Sequence, residues 1–319
     1  MNIFVQGMRR SGTTIVFDIL WQDRSLDCYY EPLAGAQKHA EGGGSGVTGI
    51  DYFEKVRAVR NLFKEEHPQL ESMDLLNYGA PRQPELEFET DLPGYVRDYI
   101  KLMTAQAEDT MIKFTRMYNK VKVLHEIDPN AKFVHVVRDP RAVTTSYLFG
   151  KKQKNKDKFP DEKTFFGRKS DKSSWSSYPL SEFILHTPEY SYLKGCRDFM
   201  RILIIWKYTF IKTYQAGQKL YGDNYFLLRH EDLLNNPENT IKKFYEHINR
   251  PLPQKVYDWT LFNVRRNKQP FAHESSNWLR AFRKIDMCEE IALAGYGDCL
   301  RKDRSWISVI GDVFEKNKK

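Results

Sequence analysis

The chain has 319 residues, 41% hydrophobic and 29% charged, a composition that excludes disordered, collagen-like and disulfide-stapled proteins and leaves a globular one with ample core. Its 50 Lys and Arg against 42 Asp and Glu give a formal net charge of +8, which favours anionic ligands; the basic residues are scattered and accompany no nucleic-acid motif, so nucleic acid is set aside as a partner. No apolar run reaches the length of a membrane span, and Cys28, Cys196, Cys288 and Cys299 show neither C-x-x-C nor zinc spacing, so reduced thiols are expected, with a Cys288–Cys299 bridge left open.

In chain order, Asn2–Gln6 reads as a short apolar strand and Ser11–Gln22 as the helix after it. "DCYYEP" (27–32) reads as a second strand closed by Pro32, and Ala34–Gly49 as a Gly-rich loop. Ile50–His67 and Gly94–Ala107 carry helical spacing, with a loop over 77–94 between them. Thr110–Phe114 reads as a strand, Val121–Ile127 as a short helix and Lys132–Val137 as a buried strand, after which Pro140 opens a helix. Lys151–Ser181 is polar and reads as a solvated insertion. A long helix is expected from about Tyr192 to Leu220, with Phe199–Ile211 as its buried stretch. Strand character over Asn224–Leu234 and helices over Pro237–Ile248 and Asp286–Ala294 follow. Strands alternating with helices imply an α/β fold, a P-loop-type three-layer sandwich with a central parallel sheet and helices on both faces. It is expected as one domain over 1–319, with insertions at about 34–108 and 150–195. Ligands of such sheets bind at the carboxyl ends of the strands.

The turn after the first strand, "GMRRSGTT" (7–14), fits the G-x-x-x-x-G-K-[ST] phosphate loop at Gly7, Gly12 and Thr14, but Thr13 stands at the lysine position. Backbone amides of a strand–loop–helix turn cradle an anion at the helix N-terminus, and Ser11, Thr13 and Thr14 add hydroxyl donors. Arg9 and Arg10 replace the lysine as cations. The strand "FVHVV" ends in Arg138, where a metal-dependent ATPase would need a carboxylate. That combination suits a nucleotide without a polyphosphate chain, bound without Mg²⁺. Ser146, eight residues beyond Arg138, lies two helical turns on, so both can flank a second anion.

The pair "RSGTT" and "VVRDPRAVTTSY" resembles the two nucleotide signatures of sulfotransferases that use 3′-phosphoadenosine 5′-phosphosulfate (PAPS), the first their 5′-phosphosulfate loop and the second their 3′-phosphate site. "YYEPL" (29–33) and "LLRHEDLLNNPENTIKKFYEHINRPLP" resemble segments of the carbohydrate 6-O-sulfotransferase and tyrosylprotein sulfotransferase branch, and "NWLRAFRKIDMCEEIALAGYG" resembles their C-terminal segment more weakly. The loop lysine and catalytic histidine of cytosolic phenol sulfotransferases are missing, and "IKFTRMYN" has no histidine.

The resemblance implies transfer of a sulfuryl group from PAPS to an acceptor hydroxyl, leaving 3′-phosphoadenosine 5′-phosphate (PAP), with no metal. Glu31 becomes the base, and a useful base would have its pKa raised by burial. Arg10 serves the 5′-phosphosulfate and the leaving-group charge, Arg9 precedes it, and Lys113 touches the sulfuryl group or is a snorkelling surface lysine. Ser11, Gly12, Thr13 and Thr14 hold the donor, Arg138 and Ser146 its 3′-phosphate, and Arg229 binds nucleotide or pairs with Asp232. Ser275 and Ser276 are expected in a loop over the nucleotide. His230 beside Glu231 and Asp232 makes no metal pattern. The acceptor is expected to be a sugar or glycolipid, with tyrosine or a small-molecule hydroxyl as alternatives and a P-loop ATP-dependent kinase as the rival enzyme. The chain leads directly into its first strand, which suits a cytoplasmic bacterial enzyme; homodimerisation is left open.

Overall fold

Ile3, Phe4 and Val5 are all fully buried, yet a strand turns alternate side chains to opposite faces, so both faces of the sheet they belong to must be covered. The computed structural model describes residues 1–34, 51–70, 75, 78–79, 84–149, 161–170, 177–264 and 276–300. The Gly-rich loop after Ala34, the lysine-rich run 151–158 and Ser275 lie outside the described residues.

The elements run β1 (Asn2–Gln6), α1 (Thr13–Leu20), β2 (Asp27–Tyr30), α2 (Glu54–Glu66), α3 (Pro84–Phe88), α4 (Gly94–Thr104), β3 (Thr110–Phe114), α5 (Val121–Ile127) and β4 (Lys132–Val137). They continue with α6 (Pro140–Phe149), α7 (Glu162–Gly167), α8 (Tyr178–His186), α9 (Asp198–Tyr221), β5 (Tyr225–Arg229), α10 (His230–Asn235), α11 (Pro237–His247), α12 (Gln254–Asn263), α13 (Ser276–Ile285) and α14 (Cys288–Leu293).

Two compact units divide the chain, one of residues 1–137 and 212–266 and one of 138–211 and 267–319. The first holds a five-stranded parallel sheet of order β2-β3-β1-β4-β5. Phe4, Tyr29, Ile112 and Phe133 enter the core on one face, against Val56 and Phe63 of α2 and Tyr99 and Ile100 of α4. Ile3, Val5, Cys28, Met111, Val134 and Val136 enter the other, against Val16, Phe17 and Leu20 of α1 and Ile241, Phe244 and Tyr245 of α11. This is the expected α/β sandwich: five parallel strands with near-continuous apolar runs and helices on both faces.

The second unit gathers Phe165 and Phe166 of α7 and Phe199 of α9 edge-on around Trp278 of α13, with ring centroids 5.9, 5.0 and 5.8 Å away. Two expectations therefore change. The segment 151–181 is not wholly a solvated insertion: α7 lies in it, started by Asp161, whose side chain accepts from the Thr164 amide at 2.7 Å, and α8 opens within it at Tyr178. The loop expected over 77–94 contains α3, because Glu87 is drawn into the interior by Arg116 and by the Tyr118 hydroxyl at 2.9 Å. The four cysteines are free. Among the described residues, no helix is long and apolar enough to cross a membrane.

Candidate functional site

After β1 the chain places β2 and β3 on one side of that strand, and β4 and β5 on the other. Where strand order reverses, the loops leaving the carboxyl ends part and open a crevice, and residues 7–12 leave β1 there. A Cβ on Gly7 would lie 2.4 Å from the Val136 carbonyl oxygen, so only glycine lets the loop pass β4. Gly12 caps α1 at φ 96°, in the left-handed region, and no side chain caps the helix. The first amides of α1 are therefore presented as anion donors. A Cβ on Gly12 would lie 2.3 Å from Nδ1 of His230, the first residue of α10. Gly12→Ala is accordingly expected to destabilise the first unit by about 1 kcal/mol or more, read as a lower midpoint of denaturant unfolding. A midpoint equal to the parent's would refute the close packing of His230 on the loop.

Ser11 and Thr13 are buried, Arg9 is exposed and Arg10 half-buried. Arg10 holds φ at 77° and Glu31 at 42°. A non-glycine residue in this region carries of order 1–3 kcal/mol of local strain, and such residues concentrate at working sites.

β2 ends at Tyr30, but the Glu31 amide still donates to the Lys113 carbonyl at 2.9 Å, and the Glu31 carbonyl accepts from Ala34 at 2.9 Å to close the turn. Arg60, itself buried, props this turn by donating to the Pro32 carbonyl at 3.2 Å. Tyr30 and Lys113 are register partners on adjacent strands. The Lys113 side chain is 1% exposed, and its ammonium donates to Glu31 Oε1; the Glu31 side chain is 26% exposed. The ammonium also lies 4.1 Å from the centre of the Tyr30 ring. Lys113 is therefore not a snorkelling surface lysine but a buried cation kept charged by a carboxylate and an aromatic ring.

The protonation of Glu31, on which the sequence is silent, is set by its neighbours. Burial does push its carboxyl up, but the charge and hydrogen bond of Lys113, with the charges of Arg116 and Arg9, prevail and hold it below the usual carboxylate range. Burial likewise pushes Lys113 down, and Glu31 and Tyr30 carry it above the usual lysine value. Glu31 also lines a small pocket with Leu33, Tyr78, Phe114, Arg116 and Met117. Arg116 was overlooked in the sequence, although it stands in the same "IKFTRMYN" segment as Lys113.

Arg229 ends β5 with Nη1 3.8 Å from Asp232, both partly exposed, so the pairing with Asp232 is present and weak. Arg138 and Ser146 belong to the second unit. Arg138 follows β4, half-buried, and its carbonyl accepts from Trp206 Nε1 at 2.9 Å. Asp139 accepts the Arg141 amide at 2.8 Å at the start of α6, and Ser146 lies half-buried on that helix.

The sequence matches the sulfotransferase domain over residues 1–288. No curated protein matches it. Among solved structures, the sulfotransferase STF9 from Mycobacterium avium is 15% identical, with a TM-score of 0.52, 92% of this chain covered and 76% of that one. A mouse sulfotransferase complexed with PAP is 10% identical, with a TM-score of 0.46, 94% of this chain covered and 88% of that one. The first of these shares the fold.

Proposed function

Because the chain belongs to the sulfotransferase family, we propose that its strand-end site transfers a sulfuryl group from PAPS to an acceptor hydroxyl, with Glu31 as the base. The observation that carries this reading is the contact of Lys113 and Glu31 at the carboxyl edge of the sheet. It supplies a carboxylate to take a proton and a permanent cation to meet the charge of the sulfuryl oxygens.

The anion cradle fits the donor's 5′ end. Gly12 leaves no room for a side chain beside His230, and the start of α1 has no side-chain cap, so its amides suit phosphate or sulfate oxygens. Arg10 adds a guanidinium that can fork onto two oxygens, with Arg9 beside it. Arg138 and Ser146 take the 3′-phosphate in this reading, and Arg229 a secondary nucleotide contact. In the transfer, the acceptor oxygen bonds to sulfur as the bond from sulfur to the 5′-phosphate oxygen breaks, and PAP leaves. Glu31 receives the hydroxyl proton, while Lys113 and Arg10 stabilise the charge that develops on the sulfuryl and leaving oxygens.

A sugar or glycolipid hydroxyl is the acceptor proposed, supported by the likeness of "YYEPL" to carbohydrate sulfotransferases. The four free cysteines support a reducing, cytoplasmic setting. Titration calorimetry with PAP and with Mg-ATP tests the donor: PAP is expected to bind with added chelator present, and ATP only weakly. Preferential binding of Mg-ATP would make the chain a nucleotide enzyme of another class.

A further inference from the structure

Thr14 lies in the first turn of α1, behind the anion loop, and Lys113 and Glu31 form the reacting pair; one side chain touches the first and supports the second. The Tyr30 hydroxyl is 3.0 Å from Thr14 Oγ1, and its ring carries the Lys113 ammonium at 4.1 Å. The ring has little freedom. Tyr52 stacks on it at 4.7 Å with an 18° tilt, and Phe17 and Phe53 meet it edge-on at 4.9 and 5.5 Å. Tyr52 is anchored in turn, its hydroxyl donating to the buried carboxylate of Asp18 on α1.

From this geometry we propose that Tyr30 is a positioning residue, which ties the donor loop through Thr14 to the Lys113–Glu31 pair through its ring. The proposal rests on the sulfuryl-transfer reading of the site. A buried tyrosine hydroxyl ordinarily finds some polar partner; what sets Tyr30 apart is which elements it joins. It spans the start of α1 and the end of β3, the two elements that hold donor and base. A buried ammonium left with one carboxylate could follow that carboxylate in several directions. The ring beneath it removes that freedom, because the attraction of a cation to an aromatic face is directional. The charged groups that act on the pair from outside it are Arg9 from the loop and Arg116 beyond β3, both on Glu31, while the neutral Tyr30 side chain from β2 meets Lys113.

The experiment is a double-mutant cycle, with PAP affinity measured first on the parent enzyme. Failure of the parent to bind PAP overturns the reading of the site, whatever Tyr30 does. With PAP bound, Tyr30→Phe and Thr14→Val remove the same bond from its two ends. Each is expected to weaken PAP binding and lower kcat by roughly threefold to tenfold, and the double variant by no more than the larger of the two single losses. Tyr30→Leu also removes the ring. Its kcat is expected to fall about a hundredfold while the KM for acceptor changes little, and the acid limb of its kcat/KM profile shifts, which loss of fold alone would not produce. Additive losses in the cycle, or a Tyr30→Leu enzyme with unmoved kcat and acid limb, overturn the proposal. Should Tyr30→Leu fail to fold, the cycle alone decides.

Discussion

Glu31→Gln is expected to retain PAP affinity and to lose transfer by at least about a hundredfold, the range typical for removal of a positioned general base. The amide is nearly isosteric and its carbonyl can still accept from Lys113, which keeps the buried ammonium partnered. The left-handed turn at Glu31 and its backbone bond to Lys113 do not depend on the side chain. Fold and nucleotide site therefore survive, and the loss falls on kcat. Calorimetry with PAP alongside a single-turnover assay with labelled PAPS separates the two. Parent-like turnover in Glu31→Gln would remove this residue from the chemistry.

Lys113→Met is expected to have an effect of similar size and a distinguishing pH signature. Transfer falls by roughly a hundredfold or more, the usual consequence of losing one charge-stabilising group at a reacting oxyanion. The sign of the pH effect follows from the opposing influences on Glu31. In the parent, burial is overridden by Lys113, and the carboxyl lies below its ordinary 4.5. Without the ammonium the largest influence left is burial, so the carboxyl moves up, and the acid limb of kcat/KM, which reports the free enzyme, moves to higher pH. Stability follows the same logic. A carboxyl held low in the folded state contributes stability that is complete above its unfolded value and is lost as pH falls through the folded one. On the acid side the parent thus loses the contribution of this pair below about pH 4.5, and on the alkaline side only as pH rises above the usual lysine value. In the variant the carboxyl moves up from its parent position, so the stability the low carboxyl contributes above about pH 4.5 shrinks. An acid limb at the parent's position in Lys113→Met would contradict the pairing.

Much of the sheet could be read directly. β3 and β4 coincide with the expected Thr110–Phe114 and Lys132–Val137, because strands buried on both faces are short, near-continuous apolar runs between polar turns. α5 coincides with Val121–Ile127. α3 was invisible because what makes it helical lies elsewhere: Arg116 and Tyr118 fix Glu87 across about thirty residues of chain, and a five-residue helix has little propensity of its own. α7 did carry a signal, an Asp161 cap followed by Phe165 and Phe166, but the lysines ahead of it masked the pattern. At the site, residue types were legible and their states were not. Glu31 and Lys113 are 82 residues apart, and only the register of β2 on β3 shows that each is the other's partner. The left-handed backbone at Arg10 and Glu31 was equally hidden, since neither is the glycine or asparagine that announces such a conformation.

The placement of β1 at the centre of the sheet also bears on how the chain reaches its folded state. Asn2 pairs beside Thr110, 108 residues later, and the other side of the strand awaits Lys132. At synthesis rates of about 5–20 residues per second, the first strand spends on the order of ten seconds outside the ribosome with its apolar residues and hydrogen-bonding edges unmatched. The same separation gives the sheet a high contact order and slow acquisition. Nascent-chain chaperones, or lowered temperature during expression, are therefore expected to raise the yield of folded protein more than strengthening any surface contact of the finished molecule.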